Sequence, residues 1–210
     1  MSIPVDPTFW NRIAADYSQK PIDDPAAWRA KLEVHKAVLT GEERVLDLGC
    51  GTGSSCLELA PHVREAHGVD LSAEMVRIAR EKAAAAGVGH VHFTEGVLED
   101  LTEPEAAYDS VSAYSILHLV PDLDRTLAGL FALCKPGGTF ISSTTVLGDS
   151  WAPYGPLLTV MKWAGKAPDV WRLKRAHLLE RIEAAGFVDV QTPDVGAAAT
   201  ILYVVARKPA

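Results

Sequence analysis

Two hydrophobic periods alternate along this 210-residue chain. Short β-branched runs give way to stretches in which apolar residues recur every three or four positions. That alternation predicts strands of a parallel sheet separated by helices. Residues 44–48 read as a first strand, 54–60 as a helix, and 67–70 as the end of a second strand. Ser72 suits an N-cap, because its hydroxyl accepts a bond from a free backbone N–H. The helix it opens places Met75, Ile78, Ala79 and Lys82 on one face, and Gly87 supplies the left-handed residue at its end. Residues 91–94 and 108–113 read as the third and fourth strands. Leu123, Leu127, Leu130, Phe131 and Cys134 then fall at i, i+4, i+7, i+8 and i+11, which is a buried helical stripe. Lys135-Pro136-Gly137-Gly138 stops it, since proline cannot continue a helix and glycine opens the turn.

Residues 139–144 form the fifth predicted strand. Leu178, Leu179, Ile182 and Ala185 mark the last clear helix, closed by Gly186, and 188–191 and 201–205 are the closing strands. Two segments stand outside this alternation: an N-terminal helical extension over 1–42 and an insert over 146–175. No internal repeat or low-complexity linker interrupts the chain, so 1–210 is expected to be one domain.

Composition narrows the function. Hydrophobic residues make up 48% and charged residues 22%, an ordinary globular balance. A formal net charge of -7 argues against a nucleic-acid backbone as partner, because phosphate neutralisation needs concentrated basic surface. Three cysteines, Cys50, Cys56 and Cys134, without a CxxC pair point to neither a disulfide framework nor a metal site, and to a reducing compartment. The N-terminal residues lack the basic and apolar regions of a signal peptide, and the longest apolar run, 195–206, is shorter than the roughly 20 residues that span a bilayer. The expected location is cytoplasmic, with no transmembrane segment.

Val45-Leu46-Asp47-Leu48-Gly49-Cys50-Gly51-Thr52-Gly53 carries the strongest chemical signal. A buried strand runs into a glycine-rich turn and then a helix, and glycine allows both positive φ and close approach of a ligand. Gly68-Val69-Asp70-Leu71-Ser72 follows about 20 residues later, at the spacing of a carboxylate that accepts both ribose hydroxyls of an adenosine. A pyrophosphate-binding turn needs GxGxxG. Here the glycines are Gly49, Gly51 and Gly53 with Ser54 next, which suits a ligand without phosphate.

These segments, with Met75 and the Leu133-Cys134-Lys135-Pro136-Gly137-Gly138 turn, resemble the class I S-adenosylmethionine-dependent methyltransferases, in particular the broad small-molecule group. The resemblance covers about 44–145 well, and it is specific for cofactor and silent on acceptor. It implies a Rossmann-like α/β fold, a seven-stranded mostly parallel sheet of order 3-2-1-4-5-7-6 with the last strand antiparallel and helices on both faces. It also implies roles. Gly49, Cys50, Gly51, Thr52 and Gly53 would line the methionine part of the cofactor. Asp47 would hold the turn and the cofactor's ammonium, Asp70 the ribose, and Leu71 and Met75 the adenine. The family often has Gly-Asp-Ala where this chain has Gly96-Val97-Leu98, so the acidic group for the adenine amine is missing. Backbone contact at Val97 and Leu98 would remain, with Glu99 or Asp100 as substitutes.

The resemblance places the backbone near Tyr114 at the cofactor's methionine end and His118 nearer the acceptor, where a neutral imidazole can take a proton. Tyr17, in the segment 9–17 that looks like a closing helix, would shield the sulfonium with its ring, and Lys31 would reach the cofactor carboxylate. The insert carries Trp151, Tyr154, Met161, Trp163 and Trp171 beside Lys162, Lys166, Arg172, Lys174 and Arg175, with Asp169 its single acid over 151–175. That composition reads as a lid over an apolar or anionic acceptor, or as a contact for an anionic membrane surface. The expected activity is methyl transfer from S-adenosylmethionine to an O, N or C atom of a small molecule, leaving S-adenosylhomocysteine. Two rivals are a non-catalytic module binding the same cofactor and a nicotinamide-dependent oxidoreductase, which would need the absent GxGxxG.

Overall fold

A computed structural model describes residues 6–150, 154–163 and 167–210. Trp151 and Lys166 of the insert lie outside the described residues, as does the side chain of Lys162.

Seven strands form one sheet: β1 (Arg44–Leu48), β2 (Glu65–Asp70), β3 (Val91–Glu95), β4 (Tyr108–Tyr114), β5 (Cys134–Thr145), β6 (Val188–Gln191) and β7 (Ile201–Arg207). Their order is β3-β2-β1-β4-β5-β7-β6, and β7 runs antiparallel to both its neighbours. The helices are α1 (Thr8–Gln19), α2 (Pro25–Lys36), α3 (Ser54–Leu59), α4 (Ala73–Ala85), α5 (Leu123–Leu133), α6 (Tyr154–Trp163) and α7 (Arg175–Ala184). The strand order reverses between β1 and β4, which opens a crevice beyond their carboxyl ends.

The sheet is buried on both faces. On one, Leu127 and Leu130 of α5 and Leu178 and Ile182 of α7 pack against Val111, Phe140 and Val204. On the other, Leu59, Val76, Ala79 and Leu32 cover Val45, Ala66 and Phe93. Gly68 keeps β2 bare at the point where any Cβ would lie 2.6 Å from the Phe93 ring and 2.8 Å from the Cys50 sulfur.

Element edges differ from the sequence reading where local signals compete. Cys134 completes the apolar stripe in sequence, yet α5 ends at Leu133 and Cys134 begins β5, opposite Tyr108. The Lys135–Gly138 turn therefore sits inside β5 as an irregularity, with the register shifting between Tyr108 and Ser110. Burial of Cys134 serves the strand as well as it would the helix, so periodicity alone misassigns it. Similarly α3 stops at Leu59 and a 3-10 turn covers Ala60–His62, since Pro61 removes the next amide donor. β7 continues to Arg207, held by its pairing with Thr139.

Candidate functional site

The chain from Gly49 to Gly53 leaves β1 and turns into α3 with all three glycines left-handed: φ is 70° at Gly49, 54° at Gly51 and 77° at Gly53. The turn is tied to β2, because the Val69 carbonyl accepts N–H bonds from Gly49 (2.7 Å) and Cys50 (3.1 Å). A Cβ on Gly49 would strike Ile116, and one on Gly53 would strike the Phe93 ring. At Gly51 a Cβ would meet no atom within 4 Å. Two of these glycines serve packing, and the middle one presents bare backbone to open space.

Asp70 sits beside that open backbone. Its Oδ2 accepts the Gly51 N–H at 2.9 Å and its Oδ1 accepts the Ser72 N–H at 2.9 Å. Burial pushes the carboxyl above its usual range, and the two N–H groups pull part of the shift back. Each oxygen retains a lone pair for a further donor. Thr52 accepts the Lys82 ammonium at 2.8 Å, so α4 braces the turn from behind.

Asp47 lies deeper. Its Oδ1 accepts from the Ser112 hydroxyl at 2.8 Å and its Oδ2 from the Cys56 thiol at 3.7 Å. Burial, only partly offset by those bonds, pushes its pKa up to about 7. Asp47 thus joins β1, β4 and α3 behind the glycine turn. Cys50 is buried with its sulfur toward Gly68, so its backbone is what the turn offers.

α1 closes over the start of α4. Asn11 Oδ1 accepts the Ser72 hydroxyl at 2.7 Å and the Glu74 N–H at 3.2 Å. Met75, expected against an adenine, is buried under α1 with Ala14 and Ile78. Leu71 stays partly open. Tyr17 remains half exposed, and after burial its largest upward pKa influence is the negative charge of Asp70, which places the phenol in that carboxylate's neighbourhood. Val97 gives its N–H to Asp100 Oδ2 at 3.0 Å, and Glu99 pairs with Arg125 at 2.9 Å. Both acids expected to replace the family's usual one are therefore engaged in local contacts, while Leu98 packs against Gly129.

Beyond β4, Ile116 seats against Gly49 and Leu117 enters the core, which brings His118 to the same end of the sheet. His118 is 8% exposed, and its Nδ1 has no hydrogen-bond partner. Burial lowers its pKa to about 4, so the imidazole is neutral at pH 7. Its carbonyl accepts the Trp171 N–H at 2.8 Å, which ties the segment after α6 to this edge.

The Tyr114 side chain is tied to α2 and β7. Its hydroxyl meets His35 Nδ1 at 2.9 Å and shares a hydrogen bond with Tyr203, whose hydroxyl donates to the Lys31 carbonyl at 2.7 Å. His35 Nε2 completes the chain at Ser110 Oγ, 2.9 Å away. The Lys31 ammonium is partly buried and has no ion-pair partner among the described residues, and burial lowers its pKa. The sequence reading missed Asn11, His35 and Lys82 as organisers of the site. Ser110 and Ser112, alternating inside an apolar strand, were the visible trace of buried polar partners.

A doubly wound sheet, a bare glycine turn and a buried carboxylate one strand away define a nucleoside-binding α/β protein. Residues 45–138 match the methyltransferase domain family. The uncharacterized methyltransferase YcgJ of Bacillus subtilis is 33% identical over 127 residues, covering 60% of this chain and 48% of that protein. The crystal structure of YcgJ superposes with a TM-score of 0.71 over 87% of this chain and 99% of its own, at 19% identity. A demethylmenaquinone methyltransferase of Geobacillus kaustophilus is 29% identical over 184 residues, 78% of each chain. A phosphoethanolamine N-methyltransferase of Haemonchus contortus, solved with S-adenosyl-L-methionine, superposes with a TM-score of 0.78 over 99% of this chain and 61% of that one, at 16% identity. The chain is thus similar to S-adenosylmethionine-dependent methyltransferases, in sequence over 45–138 and in fold over nearly its whole length. It spans about half the length of YcgJ.

Proposed function

We propose that this protein transfers a methyl group from S-adenosylmethionine to a small, largely apolar acceptor held beyond the carboxyl ends of β1 and β4. The observation that carries the reading is the pairing of Asp70 with the bare Gly51 backbone, a buried carboxylate with spare acceptor capacity beside space that no Cβ fills. The residues present fit the cofactor. Asp70 would accept hydrogen bonds from the ribose hydroxyls, Lys31 would donate to the carboxylate, and the 49–53 backbone would line the methionine portion. Tyr17 would cover the sulfonium, and Leu71, Val97 and Leu98 would border the adenine.

When bound, the cofactor supplies an electrophilic methyl carbon already carrying a good leaving group. The protein's own part is positioning, which is worth roughly 7–11 kcal/mol for two oriented reactants. At the acceptor end, His118 offers an imidazole kept neutral by burial, with Nδ1 available to accept a hydrogen bond from the acceptor's O–H, N–H or activated C–H donor and then its proton. An unpartnered buried nitrogen at this edge favours an acceptor site over a module that only binds cofactor. The segment after α6 would act as the lid over the acceptor, anchored through Trp171 to the His118 carbonyl. Relatives named as demethylmenaquinone and ubiquinone/menaquinone methyltransferases make an electron-rich ring the first acceptor class to test.

Calorimetry with S-adenosylmethionine should show binding that Asp70→Ala weakens by at least tenfold, since a charge-assisted hydrogen bond is worth about 1.5–3 kcal/mol. Unaltered affinity would remove Asp70 from the ribose role. A labelled methyl donor incubated with quinol, phenol and amine panels should then give a labelled product that His118→Ala diminishes. Cofactor binding without any labelled product across those panels would count against transfer.

A further inference from the structure

Among its described side chains, α6 shows two large apolar residues, Val160 and Trp163, to solvent. Over Tyr154–Trp163 the sequence is apolar with one charge, Lys162, and no acid. Val160 and Trp163 stand one turn apart on the same face, 66% and 95% exposed. The helix packs extensively on no other helix or strand among the described residues. A ten-residue helix is marginal in water by itself, and one that shows Trp and Val to solvent calls for a cover.

Charge selects the cover. Over 154–175 the sequence holds Lys162, Lys166, Arg172, Lys174 and Arg175 against Asp169, within a chain of net charge -7. Trp171, Arg172 and Lys174 are exposed, and neither basic side chain has an ion-pair partner among the described residues. A symmetric pairing of two copies through this face would set these cations against one another. Anionic lipid satisfies both features: Trp and Val enter the headgroup boundary while Arg and Lys meet phosphate.

We infer that α6, with Trp171, Arg172 and Lys174, is an interfacial anchor that seats the protein on an anionic lipid surface. The anchor adjoins the acceptor end of the site, because the Trp171 N–H is held by the His118 carbonyl. An acceptor dissolved in lipid would then reach the crevice without crossing bulk water. The inference does not depend on the methyl-transfer reading, since binding is measured with neither cofactor nor acceptor present.

The full chain is sedimented with vesicles of phosphatidylcholine alone or mixed equally with phosphatidylglycerol, at low and high salt. Binding to the anionic vesicles that weakens with salt is expected. Arg172→Gln combined with Lys174→Gln should lower the partition coefficient about 25-fold, at about fivefold per charge. Trp163→Ser should lower it about tenfold. All three positions are exposed, and unchanged circular dichroism melts would confirm that the variants fold. Equal binding to both vesicle types, or variants that bind like the parent, overturns the inference. Concentration-dependent dimers in sedimentation velocity without vesicle binding would assign the face to a second copy and overturn it too.

Discussion

Gly51 and Gly53 share a left-handed backbone and differ in what surrounds them, so one substitution made at each separates binding from folding. Gly53→Ala drives a methyl to within 2.6 Å of the Phe93 ring and 2.9 Å of Ala79, at φ 77°. Overpacking and backbone strain together should cost about 2–4 kcal/mol, read as a large fall in melting temperature. Gly51→Ala meets no atom within 4 Å and bears only the left-handed penalty of about 1–2 kcal/mol. Its added methyl, however, would occupy the space the cofactor needs. The fold should survive while affinity for S-adenosylmethionine drops at least tenfold by calorimetry, which is the ordinary consequence of losing about 1.4 kcal/mol of binding. Parent-like affinity in Gly51→Ala would mean that the bare backbone faces solvent and no ligand.

At the level of elements, Asn11 supplies the polar tie between α1 and the start of α4. Asn11 takes the N-cap hydroxyl of Ser72 and the Glu74 N–H together, over the apolar contact of Ala14 with Met75 and Ile78. Asn11→Ala should cost about 1–2 kcal/mol and release the helix that carries Tyr17. Cofactor dissociation should accelerate several-fold with the association rate little changed, as stopped-flow fluorescence would report. An unchanged dissociation rate would confine α1 to a structural role. This clamp also marks where sequence reading stops. The sheet order follows from family-like motifs, and the α5 stripe follows from spacing, because both signals are local. Asn11 and Ser72 lie 61 positions apart, and His35 and Tyr114 lie 79 apart. Nothing in either neighbourhood encodes the other, so such pairs become visible only once the sheet has brought them together. Met75 shows the same limit: the resemblance implies a contact with adenine, while its packing with Ala14 of the extension comes from a residue 61 positions earlier.

Across the whole molecule, buried titratable groups pull stability in opposite directions as pH changes. Burial lowers His35 from 6.5 to about 3 and His118 from 6.5 to about 4. Between those values the unfolded chain binds protons that the folded one refuses. Their contribution is therefore complete above about pH 6.5 and is lost as pH falls toward 4 and 3. Asp47 behaves oppositely, because burial raises it from 3.8 to about 7. Its contribution is complete below pH 3.8 and is lost as pH rises through 7, where the carboxylate must ionise without a cationic partner. Asn at this position keeps an oxygen for the Ser112 hydroxyl and carries no charge to bury. The melting temperature of Asp47→Asn relative to the parent should thus become steadily more favourable from pH 4 to pH 8. Thermal melts at unit pH steps, at fixed ionic strength and without cofactor, would show this as a rising difference curve. A difference that stays flat over that interval would mean that Asp47 titrates near its ordinary value, and that the floor of the glycine turn is wetter than its burial indicates.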